Sequence, residues 1–219
     1  MKLLLNNHEI HDIKLQKATL GDILNTVQKD RVAECEVISG IWVDDQPLTA
    51  DLLAQWKDRP ASEFTETRID APHRNSLVAE SLRLLAQNLG ESNSERHTIV
   101  EHLHQGRSQD ALEMLPDYLK IWDSIPQSLA IACNMIAVDM DTLEIFTPPT
   151  AQAGRSPDET DALVERIKNL VTILGQLKEA LESSDLVLLA DTIDYEFTDL
   201  TKDWQSLLEE LANRFDVPN

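Results

Sequence analysis

Three side chains at helical spacing have the chemistry of metal ligands. His97, Glu101 and His104 stand at i, i+4 and i+7, so one helix would project all three from one face. Imidazole and carboxylate groups are common Zn²⁺ ligands. The His-Glu-x-x-His signature, which places a general base between two ligands, is absent. The pattern favours a solvated helix flank over its alternative, the metal site of an enzyme.

Five carboxylates crowd one stretch near the end of the chain: Asp191, Asp194, Glu196, Asp199 and Asp203. Acid–base catalysis needs at least one carboxyl group that is desolvated and has a raised pKa. These five lie off the apolar positions of their predicted helix, so we expect them to be exposed and ionised. They indicate a solvated face or a docking surface for a basic protein partner.

The remaining chemical groups do not form a recognisable site. Cys133 lies in the most apolar stretch and is predicted to be a core thiol, while Cys35 lies between Glu34 and Glu36, whose charges should raise its pKa. The sequence has no Gly-rich phosphate loop, no Gly-x-Ser-x-Gly elbow and no Cys-x-x-Cys pair. We therefore expect no cofactor.

The charge of the chain excludes two classes of partner. Nineteen Lys and Arg stand against 39 Asp and Glu among 219 residues, a formal net charge of -20. Residues 1–72, 73–153 and 154–219 are each acidic, so neither nucleic acid nor an anionic membrane surface is an expected ligand.

Hydropathy and cysteine content predict the cellular compartment of the protein. No segment approaches the ~20 apolar residues that span a bilayer, and the apolar start at residues 1–5 is too short for a signal peptide. Two cysteines in different predicted domains do not indicate a disulfide. We expect a reducing, cytoplasmic setting.

The first 72 residues follow the order strand, strand, helix, strand, strand. The predicted strands are residues 2–6, a returning segment with Ile10, Ile13 and Leu15, residues 37–43 and residues 63–69. Thr19 and Asp22 form a capping box at the start of the helix. Its expected buried stripe is Leu20, Ile23, Leu24 and Val27. A short helix is expected at residues 49–56.

This element order, with the short helix before the last strand, resembles the ubiquitin-like β-grasp. Ubiquitin-type modifiers and the related sulfur carriers end in a free Gly-Gly. Here the last strand runs through Ile69-Asp70-Ala71-Pro72 into further chain. The resemblance therefore implies a binding scaffold over residues 1–72 and argues against a carrier or modifier role.

Helical periodicity begins directly after Pro72, so residues 73–219 are predicted to form a second, all-α domain. Gly90 and Gly106 are expected to end its first two helices. Pro116 should kink or split the third helix, and Pro126 should begin a fourth. Residues 128–138 are apolar on most faces, which predicts a central position in the bundle.

Two heptad helices follow a linker at residues 147–155 that separates the helical halves. Ser156 and Pro157 form the predicted start of the first of them. Its apolar seam is Leu163, Ile167, Leu170, Leu174, Leu177 and Leu181. The seam of the second is Leu186, Ala190, Ile193, Phe197, Leu200, Trp204, Leu207 and Leu211. Ser183-Ser184-Asp185 predicts a turn between them, so the two helices should pack antiparallel.

Together these patterns predict an α+β chain: an N-terminal ubiquitin-like β-grasp followed by an all-α antiparallel helical bundle. The acidic, long-helical part resembles bacterial flagellar and secretion export chaperones in architecture, without a shared motif. The favoured function is a non-catalytic cytoplasmic adaptor for a protein partner, with a chaperone-like role in motility or secretion as its narrower form. The alternative is a metal-dependent enzyme. A homodimer through the seam or residues 128–138 stays open.

Overall fold

The computed structural model describes residues 1–11, 18–140, 143–146 and 160–216, without the side chains of 144–146 and 160–162. The chain divides into two compact units, Met1–Leu77 and Val78–Asn219. Each unit has its own apolar core. The division falls five residues after the boundary predicted at Pro72, and the predicted linker at residues 147–155 lies outside the described residues.

The first unit is a five-stranded mixed sheet with helices. In space the strands follow the order β2-β1-β5-β3-β4, with β1 and β5 parallel and the other pairs antiparallel. The strands are β1 Lys2–Leu5, β2 His8–Glu9, β3 Gly40–Val43, β4 Gln46–Pro47 and β5 Glu66–Asp70. This order, with the parallel pair in the centre, is the β-grasp arrangement. A relationship to ubiquitin-like proteins stays a prediction.

Two-residue turns close both hairpins of the sheet. Asn6 and Asn7 join β1 to β2, Asp44 and Asp45 join β3 to β4, and all four have positive φ. Two consecutive residues with positive φ match the right-handed twist of the flanking strands, and Asn and Asp tolerate that conformation best after Gly. The predicted returning strand is shorter than expected, because β2 ends at Glu9; residues 13 and 15 lie outside the described part.

Helix α1, Leu20–Asp30, covers the sheet as the sequence predicts. The Thr19 side chain accepts a hydrogen bond from the Asp22 amide, and the Asp22 carboxylate accepts one from the Thr19 amide. All four residues of the predicted stripe are buried, in one cluster with Leu3, Val43 and Ile69 of the sheet. The short helix α2, Ala50–Trp56, is also present, capped by Thr49.

Long helices build the second unit. They are α3 Arg74–Glu91, α4 Asn93–His104, α5 Ser108–Met135, α6 Leu163–Glu182, α7 Leu186–Asp191 and α8 Phe197–Phe215, with a π-helical turn at Thr192–Glu196 between the last two. The short strands β6 Glu144–Phe146 and β7 Thr160–Ala162 pair antiparallel. The fold is therefore α+β with a helical C-terminal region. No described helix is long and apolar enough to cross a bilayer.

Several predicted helix ends are wrong. Gly90 lies inside α3, one residue before its end at Glu91, and a Cβ there would lie 2.3 Å from the side-chain nitrogen of Gln205. Pro116 and Pro126 both lie inside one continuous helix, α5. Pro116 therefore does not split the third helix, and Pro126 does not begin a fourth. Gly106, with φ of 74°, does end α4 as predicted.

The heptad helices carry most of the predicted seam. Helix α6 begins at Leu163, after strand β7, instead of at the predicted start near Ser156. Its seam residues are buried or partly buried against the core. In the second helix the seam is buried from Ala190 onward, and Trp204 is a core residue, but Leu186 is exposed. The predicted central stretch at residues 128–138 is amphipathic instead, because Ile131 faces solvent.

Candidate functional site

The last long helix changes its hydrogen-bonding pattern in the middle. At Thr192–Glu196 the backbone forms a π-helical turn, in which the Phe197 amide donates to the carbonyl oxygen of Thr192, five residues earlier. Such turns are rare and occur frequently at functional sites. The turn separates α7 from α8 and lies within the stretch of five carboxylates.

A buried arginine supports the π-turn from helix α4. Arg96 is only 3% exposed, and its NH1 group donates to the carbonyl oxygens of Ile193 and Asp194 at 3.3 and 3.1 Å. The same nitrogen lies 3.1 Å from the Asp194 carboxylate. NH2 lies 3.1 Å from His97 Nδ1, and Nε donates to Asn93 Oδ1 at 3.4 Å. A guanidinium offers five donors, so one side chain serves all these acceptors.

Aromatic rings pack at the end of the π-turn. The ring of Phe197 lies 5.8 Å from that of Tyr118 and meets Trp122 edge-on at 5.2 Å. Burial raises the pKa of Tyr118 to about 12, against smaller opposing effects that include the nearby Arg96 charge. Tyr118 Oη and Trp122 Nε1 are buried without a hydrogen bond of ordinary geometry to any described residue. The cluster is therefore apolar, and it leaves two buried polar atoms without an ordinary hydrogen bond.

The same segment carries exposed apolar side chains. Val187 is 72% exposed and Tyr195 is 69% exposed, with Leu186 and Leu188 also at the surface. We call these four residues the α7 surface. Sequence reasoning missed it, although a signal was present: residues 186–189 are all apolar, and one helix cannot direct four consecutive side chains into one core.

The five predicted carboxylates do not form one uniform exposed set. Asp191, Glu196 and Asp199 are exposed as expected. Asp194 is drawn into the ion pair with Arg96. Asp203 is half-buried, and burial raises its pKa despite the lowering effect of Arg166, so the expectation of full exposure was wrong for this residue. The exposed carboxylates lie on the segment that carries the α7 surface.

The predicted metal ligands gain no geometric support. His97, Glu101 and His104 are all exposed, and the Glu101 carboxylate accepts a hydrogen bond from Gln105. Within the described ranges, no group of three or more His, Cys, Asp or Glu side chains is placed to hold a metal ion.

The two thiols lie in contrasting places. Cys133 is buried as predicted, and burial together with the charge of Asp139 raises its pKa. It borders a shallow, open depression of about 220 Å³ beside Asn134 and Met140. Cys35 is exposed on the first unit.

The described chain is an α+β protein whose helical unit has exposed apolar side chains at residues 186–188 and 195 and exposed carboxylates at Asp185, Asp191 and Glu196. The chain belongs to the family described as a domain of unknown function (DUF8042), whose model matches residues 80–207. Residues 1–71 match a second family model, the TP0873 N-terminal domain. No curated protein and no solved structure matches the chain.

Proposed function

We propose that the chain is a non-catalytic cytoplasmic adaptor whose helical unit binds a basic, amphipathic segment of a protein partner at the α7 surface. The observation that carries the proposal is the exposure of Val187 and Tyr195 beside exposed carboxylates. Single exposed apolar residues are ordinary on protein surfaces, but four on one ten-residue segment are typical of an interaction site.

Charge selects the kind of partner. Asp185, Asp191, Glu196 and Asp199 are exposed on and around the segment, and Lys202 is the nearest basic residue after it. An apolar face bordered by carboxylates complements an amphipathic helix with an apolar stripe and Lys or Arg beside it. A second copy of the chain would bring the same carboxylates, so the net charge of -20 disfavours it as the occupant.

The narrower form of the proposal is a chaperone-like role in bacterial motility or secretion. Its support is architectural: long acidic helices that leave an apolar surface open. The alternative of a metal-dependent enzyme at His97, Glu101 and His104 has no observation in its favour.

A labelled amphipathic peptide tests the surface directly. The probe is a fluorescent helical peptide of about 18 Leu and Lys residues, with fluorescence anisotropy as the readout. Burial of a Val or Leu side chain contributes about 1.5–3 kcal/mol. Val187→Ser combined with Leu188→Ser should therefore weaken binding at least about tenfold. A peptide with Glu in place of Lys should not bind.

The matched control removes apolar side chains of similar exposure elsewhere. Ile131 in α5 is 61% exposed and Val171 in α6 is 58% exposed. Changing both to Ser should leave the affinity within about twofold, which is about 0.4 kcal/mol. Equal losses for the two pairs would mean that the peptide binds by charge alone and would overturn the proposal. Light scattering of the free protein identifies the other outcome, in which a second copy occupies the surface.

A further inference from the structure

We infer that Arg96 is the positioning residue of the α7 surface: it holds the π-turn, and the π-turn decides which side chains of α7 face outward. The biological meaning of this inference rests on the proposed function. The structural part does not, because it concerns only how α4 and the last helix fit together.

The first step is the hydrogen bonding of the turn. Where bonding changes from i+4 to i+5, carbonyl oxygens of the turn lose their regular amide partners and need other donors. Arg96 donates to the carbonyl oxygens of Ile193 and Asp194. The Thr198 hydroxyl also donates to the Asp194 oxygen. Two side chains therefore donate hydrogen bonds to the turn: Thr198 from α8 and the buried Arg96 from α4.

The second step is the rotation of α7. In an uninterrupted α-helix, Leu186 lies on the same face as Ala190, Ile193 and Phe197. The structure instead buries Leu189, which is 1% exposed, and leaves Leu186 37% exposed. A π-turn advances less per residue than an α-turn, so the residues before it are rotated relative to those after it. The turn therefore exchanges Leu186 for Leu189 in the core, while Ala190, which is 3% exposed, stays buried.

The third step is what happens without Arg96. Removing its donors leaves buried carbonyl oxygens unpaired, which favours the regular i+4 pattern. Helix α7 then rotates back, Leu186 enters the core and Leu189 becomes more exposed. The Arg96–Asp194 pair adds to the preference for the turn, because a buried guanidinium needs its carboxylate.

Thiol accessibility at two positions tests the rotation. The background is Cys35→Ser, which leaves the buried Cys133 as the natural thiol. Leu186→Cys and Leu189→Cys are made separately, and the rate of modification by a small aromatic disulfide is measured. With Arg96 in place, the thiol at 186 should react quickly and the thiol at 189 slowly. Arg96→Met should reverse that order, changing the ratio of rates at least about tenfold.

The control separates rotation from general loosening. A thiol introduced by Leu207→Cys, buried in α8 beyond the turn, should stay protected in both backgrounds. If circular dichroism shows that Arg96→Met does not fold, Arg96→Lys and Thr198→Val remove fewer hydrogen-bond donors. For these variants the ratio of rates should change in the same direction, by a smaller factor. The inference requires that Arg96→Met slows modification of the thiol at position 186 and speeds modification of the thiol at position 189; any other result overturns it. Faster modification at 186, 189 and 207 together would show that Arg96 has a merely structural role.

The two proposals fail separately. The thiol rates need no partner, so a reversal of order without peptide binding would remove the adaptor proposal and leave the role of Arg96. Peptide binding that is unchanged by Arg96→Met, together with unreversed thiol rates, would leave the adaptor proposal and remove Arg96 from it. If both hold, Arg96→Met should also weaken peptide binding by about tenfold, because Leu186 leaves the α7 surface for the core.

Discussion

At the residue scale, the buried polar groups of the helical unit differ in how well they are paired. Arg96 has a full set of acceptors, whereas the hydroxyl of Tyr118 is buried without an ordinary hydrogen bond among the described residues. An unpaired buried polar group costs its desolvation free energy, about 1–3 kcal/mol. The two residues should therefore respond oppositely to the loss of their polar atoms.

Tyr118→Phe should leave the free energy of unfolding unchanged or raise it by up to about 1 kcal/mol. The ring keeps its contact with Phe197 and only the unpaired hydroxyl is lost. Urea unfolding near neutral pH is the measurement. Tyr118→Ala is the control and should cost about 3–5 kcal/mol, because it also removes the ring from the core.

The same residue makes stability depend on pH in alkali. The folded protein holds the Tyr118 proton up to a pKa of about 12, while an unfolded tyrosine releases it near pH 10. The folded state therefore binds more protons in this range, and stability falls as pH rises from about 10 to 12. Tyr118→Phe should lose that part of the slope. Equal slopes for both proteins above about pH 10 would contradict the burial of the hydroxyl.

At the element scale, two glycines inside long helices have different surroundings. A Cβ at Gly175 in α6 would meet no atom within 4 Å, whereas one at Gly90 in α3 would lie 2.3 Å from the side-chain nitrogen of Gln205. That nitrogen donates to the carbonyl oxygen of Ala86. Gly90 therefore allows close packing against Gln205 of α8. In the described structure, Gly175 has no such packing role.

Gly175→Ala should stabilise the protein by about 0.5–1 kcal/mol, the usual gain from replacing glycine in a helix interior. Gly90→Ala should gain less or lose stability, since Gln205 must move. The Gln205→Ala background removes this conflict, and there Gly90→Ala should recover a gain of about 0.5–1 kcal/mol. The measurement is urea unfolding of the wild type, the three single variants and the Gly90→Ala/Gln205→Ala double variant. Equal effects at Gly90 in both backgrounds would exclude Gln205 as the cause.

At the scale of the whole molecule, the first unit has its own apolar core, as an independently folding domain needs. Its core residues come from the sheet, α1 and the segment before β5, and form one cluster. Hydrogen bonds also extend past Pro72: the Arg74 amide donates to the carbonyl oxygen of Cys35, and His73 pairs with Glu36. These bonds lie within the first unit, which extends to Leu77 and includes the first turn of α3.

A fragment of residues 1–77 should therefore fold alone and be more stable than one of residues 1–72. Amide dispersion in NMR spectra and urea unfolding compare the two fragments. The shorter one loses backbone bonds that each contribute about 0.5–1.5 kcal/mol. A disordered 1–77 fragment would show that the sheet needs the helical unit to fold.

Much of the fold is determined by local sequence. The capping box at Thr19, the paired positive-φ turns and the stripe of α1 depend on residues within about four positions of one another, so the sequence predicts them directly. The seam from Ala190 to Leu211 is local in the same sense, because one helical period generates it. These local features are enough to predict the α+β class and the order of the elements.

Tertiary contacts decide what local patterns leave open. Gly90 lies inside α3, and the side chain of Gln205, 115 positions later in the numbering, fills the space beside it. The π-turn exists where Arg96 reaches carbonyl oxygens 97 and 98 residues away in sequence. No local pattern contains that contact, so the α-helical period predicts Leu186 in the core where the structure has Leu189. We infer that this distant hydrogen bonding decides whether Leu186 or Leu189 enters the core.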